Sequence, residues 1–322
     1  MVNFPLWEVV MKLKIKMLRR GIRMPFECLA VLLGFATIPL LPRPWLLRFT
    51  ECVGWIMSKT CVRQTKIMLA NLDVVYGDTL PREEKRRIVR ASGAYAALLT
   101  LDFFWFAWFT RRRIRKYVTC CESFREMVAE NKAGMVLSAH FGNWELGAKK
   151  GAELGRNFVS IFAPLGISLT QRLLLWVRMK TGGLTVAREG AMMTLLKTVR
   201  EGGIIAVLLD QRISEGEGGV FIDFFGKPAL MSTVAGILSK RRKLPLHLIT
   251  CKYLPSGHCH IMLSKTLSGE CGLDEMEVTR WVARAMEEQI KGQPEQWLWM
   301  YRRWQDIPHG DDPATYPFYA RE

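Results

Sequence analysis

His140 is followed five positions later by Glu145, across the short turn Phe141-Gly142-Asn143-Trp144, and it ends the apolar run that begins at Gly134. A neutral imidazole can take a proton from a hydroxyl near pH 7. A carboxylate on the other ring nitrogen fixes the tautomer and stabilises the imidazolium that forms. The spacing therefore predicts a general base, His140, at a strand end, with Glu145 entering the next helix as its orienting acid. Two more polar positions follow apolar runs in the same way: the pair Arg188-Glu189, and Asp210. Singly, each has an ordinary structural reading as a packed histidine, an ion-pair partner or a solvated charge. At successive strand ends they converge, because open α/β sheets bind ligands beyond the carboxyl ends of their strands.

The elements that must position these residues alternate. Met135–Ala139, Phe158–Ala163, Leu184–Ala187 and Ile204–Leu209 read as strands. Glu145–Leu154, Leu169–Lys180, Ala191–Glu201 and Thr233–Arg242 read as helices, Gly202-Gly203 stopping the third. Pro81 with Glu83 and Glu84 opens a long helix. Leu246–Tyr253 and His258–Leu263 form a hairpin, and Asp274–Lys291 an amphipathic helix. The expected fold is α/β, a mixed sheet flanked by helices. Ser214–Gly219 is expected to be a mobile loop over the site. The organisation expected is a basic, apolar N-terminal region (1–70), an α/β domain (71–308) and a tail (309–322).

The chain of 322 residues carries a formal charge of +16, half of it from the first 70 residues. That balance suits an anionic partner. Residues 28–41 are apolar after a cationic lead from Lys12 to Arg23. They predict an N-terminal hydrophobic membrane-anchoring helical segment, spanning once or lying in the cytoplasmic leaflet. The aromatic stretch Leu98–Phe109, followed by Arg111-Arg112-Arg113, reads equally as a core helix and as an acyl-chain groove or membrane contact with a cationic rim. The eight cysteines form no CxxC pair and read as small apolar residues of a reducing compartment. Cys251, His258, Cys259 and His260 alternate faces of one hairpin and are not expected to bind metal. There is no GxSxG elbow, no P-loop and no nucleic-acid-binding signature.

His140–Glu145 is similar to the HX4D/E motif of glycerolipid acyltransferases, and its form resembles the late acyltransferases of lipid A biosynthesis. Further stretches match in order: Ile67–Leu72, Val186-Ala187-Arg188-Glu189, Leu209-Asp210-Gln211-Arg212, Gly219–Gly226 and Pro294–Trp304. The resemblance covers roughly residues 17–308. Three departures, Ala163, Arg212 and Met231-Ser232-Thr233, touch the acceptor side. The resemblance implies transfer of an acyl chain from acyl-acyl carrier protein or acyl-CoA, without a cofactor or metal, to a hydroxyl of a lipid A-type glycolipid. The acceptor of a same-fold relative would be a lysophospholipid or another glycolipid. It further implies His140 and Glu145 as the catalytic dyad, and Arg188 on the acceptor phosphate or the oxyanion. Asp210 would position the acceptor or Arg188, with Asn143 and Glu189 as further substrate contacts. The implied partners are an acidic carrier protein, an anionic lipid acceptor and a membrane surface, with no nucleic acid. The implied location is the inner membrane with the site on its cytoplasmic face. A non-enzymatic basic protein would explain the charge but not the ordered polar strand ends.

Overall fold

The structure, a computed structural model, describes residues 25, 27–130, 132–162, 175–180, 183–187 and 191–321. A seven-stranded mixed sheet organises them. Its strands are β1 (Val118–Cys120), β2 (Gly134–Ser138), β3 (Phe158–Phe162), β4 (Leu184–Ala187), β5 (Ile204–Leu208), β8 (Leu246–Tyr253) and β9 (Cys259–Leu267), in the order β1-β9-β8-β2-β5-β3-β4. All neighbours are parallel except β8 and β9, the expected hairpin, which pair antiparallel. A separate antiparallel pair, β6 (Gly219–Phe224) and β7 (Lys227–Ser232), lies outside it. Every residue of the central strand β2 is buried, as a strand covered by helices on both faces requires.

Helices cover the sheet in two groups. On one side β2, β5 and β8 pack with α9 (Glu275–Gly292) and the Trp297, Trp299 and Trp304 indoles in one core cluster. The N-terminus of α9 is closed by a reciprocal cap: Asp274 accepts from Met276 N and Glu277 N, and Glu277 accepts from Asp274 N, each at 2.8 Å. The second cluster holds Leu98, Trp105 and Phe106 of the aromatic stretch with Ile114, Phe124 and Ile261. The long helix opened by Pro81 is α3 (Arg82–Trp105). Helix α1 (Arg43–Thr60) crosses it so closely that a Cβ on Gly54 would lie 2.6 Å from Arg90 O. Between them in sequence lies α2 (Val62–Tyr76).

The expected N-terminal segment does not form a membrane-spanning helix among the described residues. Among the described residues, no helix is long and apolar enough to cross a membrane. Residues 27–37 are helical, but the chain then turns through a 3₁₀ segment, Ile38–Leu40, and Pro42 begins α1 in a new direction. Proline cannot continue a helix, so Pro39 and Pro42 divide the apolar run into pieces too short to span. The first piece packs on the protein instead: Phe35 meets Phe104 edge-on with ring centroids 5.0 Å apart. The same finding overturns the integral inner-membrane placement. The cationic lead, Lys12 to Arg23, lies outside the described residues.

Candidate active site

Strands β2 and β5 run parallel in register, with Ser138 opposite Leu208. Two residues beyond each strand end stand His140 and Asp210, which the register brings side by side. His140 Nδ1 lies 2.8 Å from Asp210 Oδ1, and the His140 backbone N–H donates to Asp210 Oδ2 at 2.9 Å. The Trp297 indole N–H donates to the same Oδ2 at 2.8 Å. This pattern makes Nδ1 the protonated nitrogen and leaves Nε2 as the basic one. Burial by itself would raise the Asp210 carboxyl. The charge of His140 and three N–H donors outweigh it and hold the group below the ordinary carboxylate range.

The turn after His140 is fastened on both sides. His140 O accepts from Leu298 N, Gly142 N donates to Gln296 O, and Asn143 N donates to Cys251 O. Gly142 has φ of 57°, and a Cβ there would meet Cys251 O at 2.2 Å, so only glycine fits this approach. Helix α6 (Glu145–Glu153) starts directly after the turn.

Glu145 does not orient His140. Its carboxylate is bound by Arg178, through Nε at 2.9 Å and through Nη2. The expected pairing followed the short sequence spacing, whereas the sheet register supplies Asp210 from a strand 70 residues away. Asn143 is buried in a polar knot under the turn. Its Nδ2 donates to Asp102 Oδ2 and to the Tyr253 hydroxyl, both at 3.0 Å. Tyr253 OH donates to Asp102 at 2.9 Å, and Arg43 forms a buried ion pair with Asp102 while also donating to Gly257 O. Burial, then the Asp102 charge, push the Tyr253 phenol well above its ordinary value, so it remains a donor. Arg188 and Glu189 lie outside the described residues.

A cavity of about 260 Å³ opens beside this turn. Val31, Phe35, Leu99, Phe103, Phe104 and Phe106 give it apolar walls, and Asn143, Trp144, Glu145 and Lys149 close the side toward the turn. The Trp144 ring meets the His140 ring edge-on at 4.8 Å between centroids, so the imidazole and the cavity share one wall. The expected mobile loop is a 3₁₀ turn, Glu215–Glu217, with a reciprocal cap between Ser214 and Glu217.

The family model for bacterial lipid A biosynthesis acyltransferases matches residues 15–306. The chain belongs to this family. It is an acyltransferase. It is 24 % identical over 277 residues to the lipid A biosynthesis lauroyltransferase of Escherichia coli strain K12, covering 84 % of this chain and 88 % of that one. It is 23 % identical over 280 residues to the lipid A biosynthesis palmitoleoyltransferase of the same strain, with the same coverage. Among solved structures, the 1-acyl-sn-glycerophosphate acyltransferase of Thermotoga maritima aligns with 80 % of this chain and 99 % of its own, at 11 % identity and a TM-score of 0.37.

Several residues of this candidate site were not singled out by sequence reasoning. Asp102 carried a signal, as the lone acid in an aromatic stretch. Trp297 lay within a matched segment, but only the folded chain brings its N–H to Asp210. Arg43, Arg178 and Lys149 carried no signal, since each is one cation among 46.

Proposed function

We propose that this acyltransferase moves a fatty acyl chain from an acyl-acyl carrier protein thioester to a hydroxyl of a lipid A-type glycolipid precursor. The observation that carries the proposal is the His140–Asp210 pair, with its basic nitrogen unclaimed by Asp210, beside an apolar cavity suited to a hydrocarbon chain. His140 Nε2 takes the acceptor's hydroxyl proton, and the oxygen attacks the thioester carbonyl. The tetrahedral intermediate collapses, the C–S bond breaks, and the imidazolium returns its proton to the departing thiolate. No acyl-enzyme forms. Asp210 fixes the tautomer and stabilises the imidazolium. Glu145, held by Arg178, forms part of the cavity wall. Arg188, by its place in the sequence, is assigned to the acceptor phosphate or the oxyanion, with Glu189 beside it. The net charge of +16 favours encounter with an acidic carrier protein and an anionic acceptor.

The test is mass spectrometry of total lipids from cells with and without the gene. The expected result is a lipid A species short by one acyl chain in the deletion, restored by the wild-type gene and not by His140→Ala. In vitro that variant should remain folded, with transfer reduced about 10²-fold or more. A deletion that changes lysophospholipid acylation and leaves lipid A intact would overturn the acceptor assignment.

A further inference from the structure

Helix α4 (Thr110–Tyr117) follows the aromatic stretch that walls the cavity, and its exposed side chains are all cations. Thr110 and Ile114 are buried, and Arg113 is held inward by the carbonyls of Trp105 and Pro39. Arg111, Arg112, Arg115 and Lys116 face outward, and the helix carries no acid. Arg115 pairs with Glu153 at 2.7 Å, whereas Arg111 and Arg112 make no ion pair among the described residues. Like charges four residues apart on a helix repel, so the helix gains nothing by gathering them. Just before it, Phe109 is 64 % exposed and has φ of 51°, a left-handed conformation that costs an aromatic residue free energy. Exposed aromatic side chains flanked by arginine are the kind that anchor interfaces.

The sheet puts this patch at the end where the base stands. β2 and β8 run parallel, β9 runs antiparallel to β8, and β1 runs parallel to β9. β1 therefore begins at the end of the sheet where β2 finishes. α4 leads directly into β1 at Val118, so it arrives at the end from which His140 projects. α4 also packs on α6, the helix that starts after the His140 turn, and Arg115 reaches its last residue, Glu153. α6 has nine residues, about 13 Å of axis, a distance that an extended phosphopantetheine arm exceeds. Lys180 links the patch to the cavity wall. Its ammonium donates to Ala107 O and lies 3.8 Å from the Trp176 ring centroid, and that ring meets Phe35 of the wall at 6.2 Å. A second cluster of cations, Lys240, Arg241, Arg242 and Lys243 at the end of α8 (Val234–Arg242), precedes β8 and lies at the opposite end of the sheet.

We propose that the outer face of α4, with Phe109, is the docking surface of the acidic carrier protein that delivers the acyl chain. The proposal rests on the donor named in the reading above. Cations without counter-ions, beside the cavity and at the catalytic end of the sheet, complement an acidic protein surface. A lipid surface fits less well. A helix that lies in a bilayer turns apolar side chains outward, as α1 does with Trp45, Phe49 and Ile56, whereas α4 has buried its one aliphatic residue, Ile114. With the carrier protein docked on α4, its arm passes Lys180 and Trp176, the acyl chain enters the apolar cavity, and the thioester comes to rest beside His140.

The test measures transfer to a lipid A precursor by the full chain in detergent. Two donors bear the same acyl chain: the carrier-protein thioester, and the pantetheine thioester, which lacks the protein. Arg111→Glu combined with Arg112→Glu should raise KM for the carrier-protein donor at least about tenfold at low salt, and leave kcat/KM for the pantetheine donor within about twofold of wild type. The difference should shrink as salt rises. Phe109→Gly, which relaxes the backbone, should raise the carrier-protein KM alone. Lys240→Glu combined with Arg241→Glu makes the same change of charge at the far end of the sheet and should leave both donors unaffected. An α4 double variant with an unchanged carrier-protein KM overturns the proposal, and so does a remote variant that raises it equally. An α4 variant that loses binding to phosphatidylglycerol vesicles while keeping that KM overturns it too, and assigns the patch to lipid. The acyltransfer reading fails separately. If neither donor yields transfer, while fluorescence anisotropy shows the carrier protein binding the wild type and not the α4 variant, the docking surface stands and that reading falls.

Discussion

Two polar groups of residues flank the turn between β2 and α6, and they are finished to different degrees. At His140–Asp210 both carboxylate oxygens are engaged, and the imidazole is locked by a neighbouring strand, its own backbone and Trp297. At Lys149 and Asn143 less is engaged: Asn143 Oδ1 is buried without a donor, and the buried Lys149 ammonium has only the charges of Glu145 and Asp102 to offset its burial. The contrast separates two tasks. A base must be oriented before substrate arrives, so its partners come from the protein. The other task is to wall the cavity, where a buried ammonium and an amide oxygen without a donor cost the fold free energy.

The most severe way to break the finished side is Asp210→Asn. It keeps the shape and loses the acceptor that sets the tautomer, and transfer should fall about 10³-fold with little change in KM. Glu145→Gln should cost far less in kcat. If steady-state kinetics rank the two variants the other way, the pairing of His140 with Asp210 is not the working one.

The knot under the turn supports both sides, so breaking it should disturb both. Asp102→Ala leaves Arg43 buried without its counter-ion, which costs about 3–5 kcal/mol. Thermal denaturation should register a drop of roughly 10 °C, and a drop within a degree or two would show that the ion pair does not anchor α1 to α3.

The open side predicts the opposite sign. Burial lowers the Lys149 pKa to about 8 in the folded protein, whereas an unfolded lysine titrates near 10.4. Between those values the unfolded chain binds more protons, so this residue makes stability rise with pH. Below about pH 8 the full penalty stands, on the order of 3 kcal/mol. Lys149→Met should accordingly be the more stable protein in urea at pH 7, with the gap closing by pH 10. A gap that does not change with pH would mean that burial does not disfavour the charged lysine.

Trp297→Phe is the mildest test. It removes one of three donors to Asp210 and should reduce transfer about fivefold. Fewer donors let the Asp210 carboxyl rise, so the acid limb of the pH–rate profile, a property of the coupled pair, moves to higher pH. An unmoved limb would assign Trp297 to packing alone.

His140 and Asp210 were legible as polar residues at strand ends, because a buried strand announces itself as an apolar run. Their pairing was not legible, since it depends on β5 lying next to β2 while β3, earlier in the chain, lies beyond it. The near neighbour Glu145 was the natural choice by spacing, and Arg178 takes it. The long helix after Pro81, the β8–β9 hairpin and the cap of α9 followed from local chemistry alone. The spanning reading of the N-terminal run fails for a reason that is also local: Pro39 and Pro42 cut it. The cavity was foreshadowed only by the aromatic stretch Leu98–Phe109, because its other walls come from residues near 31 and 145.

The strap from Gln296 to Leu298 crosses back over the end of β2, bonding Gly142, Asp210 and His140 in turn, and Asn71 on α2 grips the same strap through Trp299 O and Tyr301 O. The turn that carries His140 is thus fastened by a stretch of chain that follows every strand of the sheet. A nascent polypeptide that has made every strand of its sheet still lacks the donors that fasten this turn and the Asp210 carboxylate. A transcript cut short of the Trp297 codon would lose the third donor to Asp210 together with three indoles of the core.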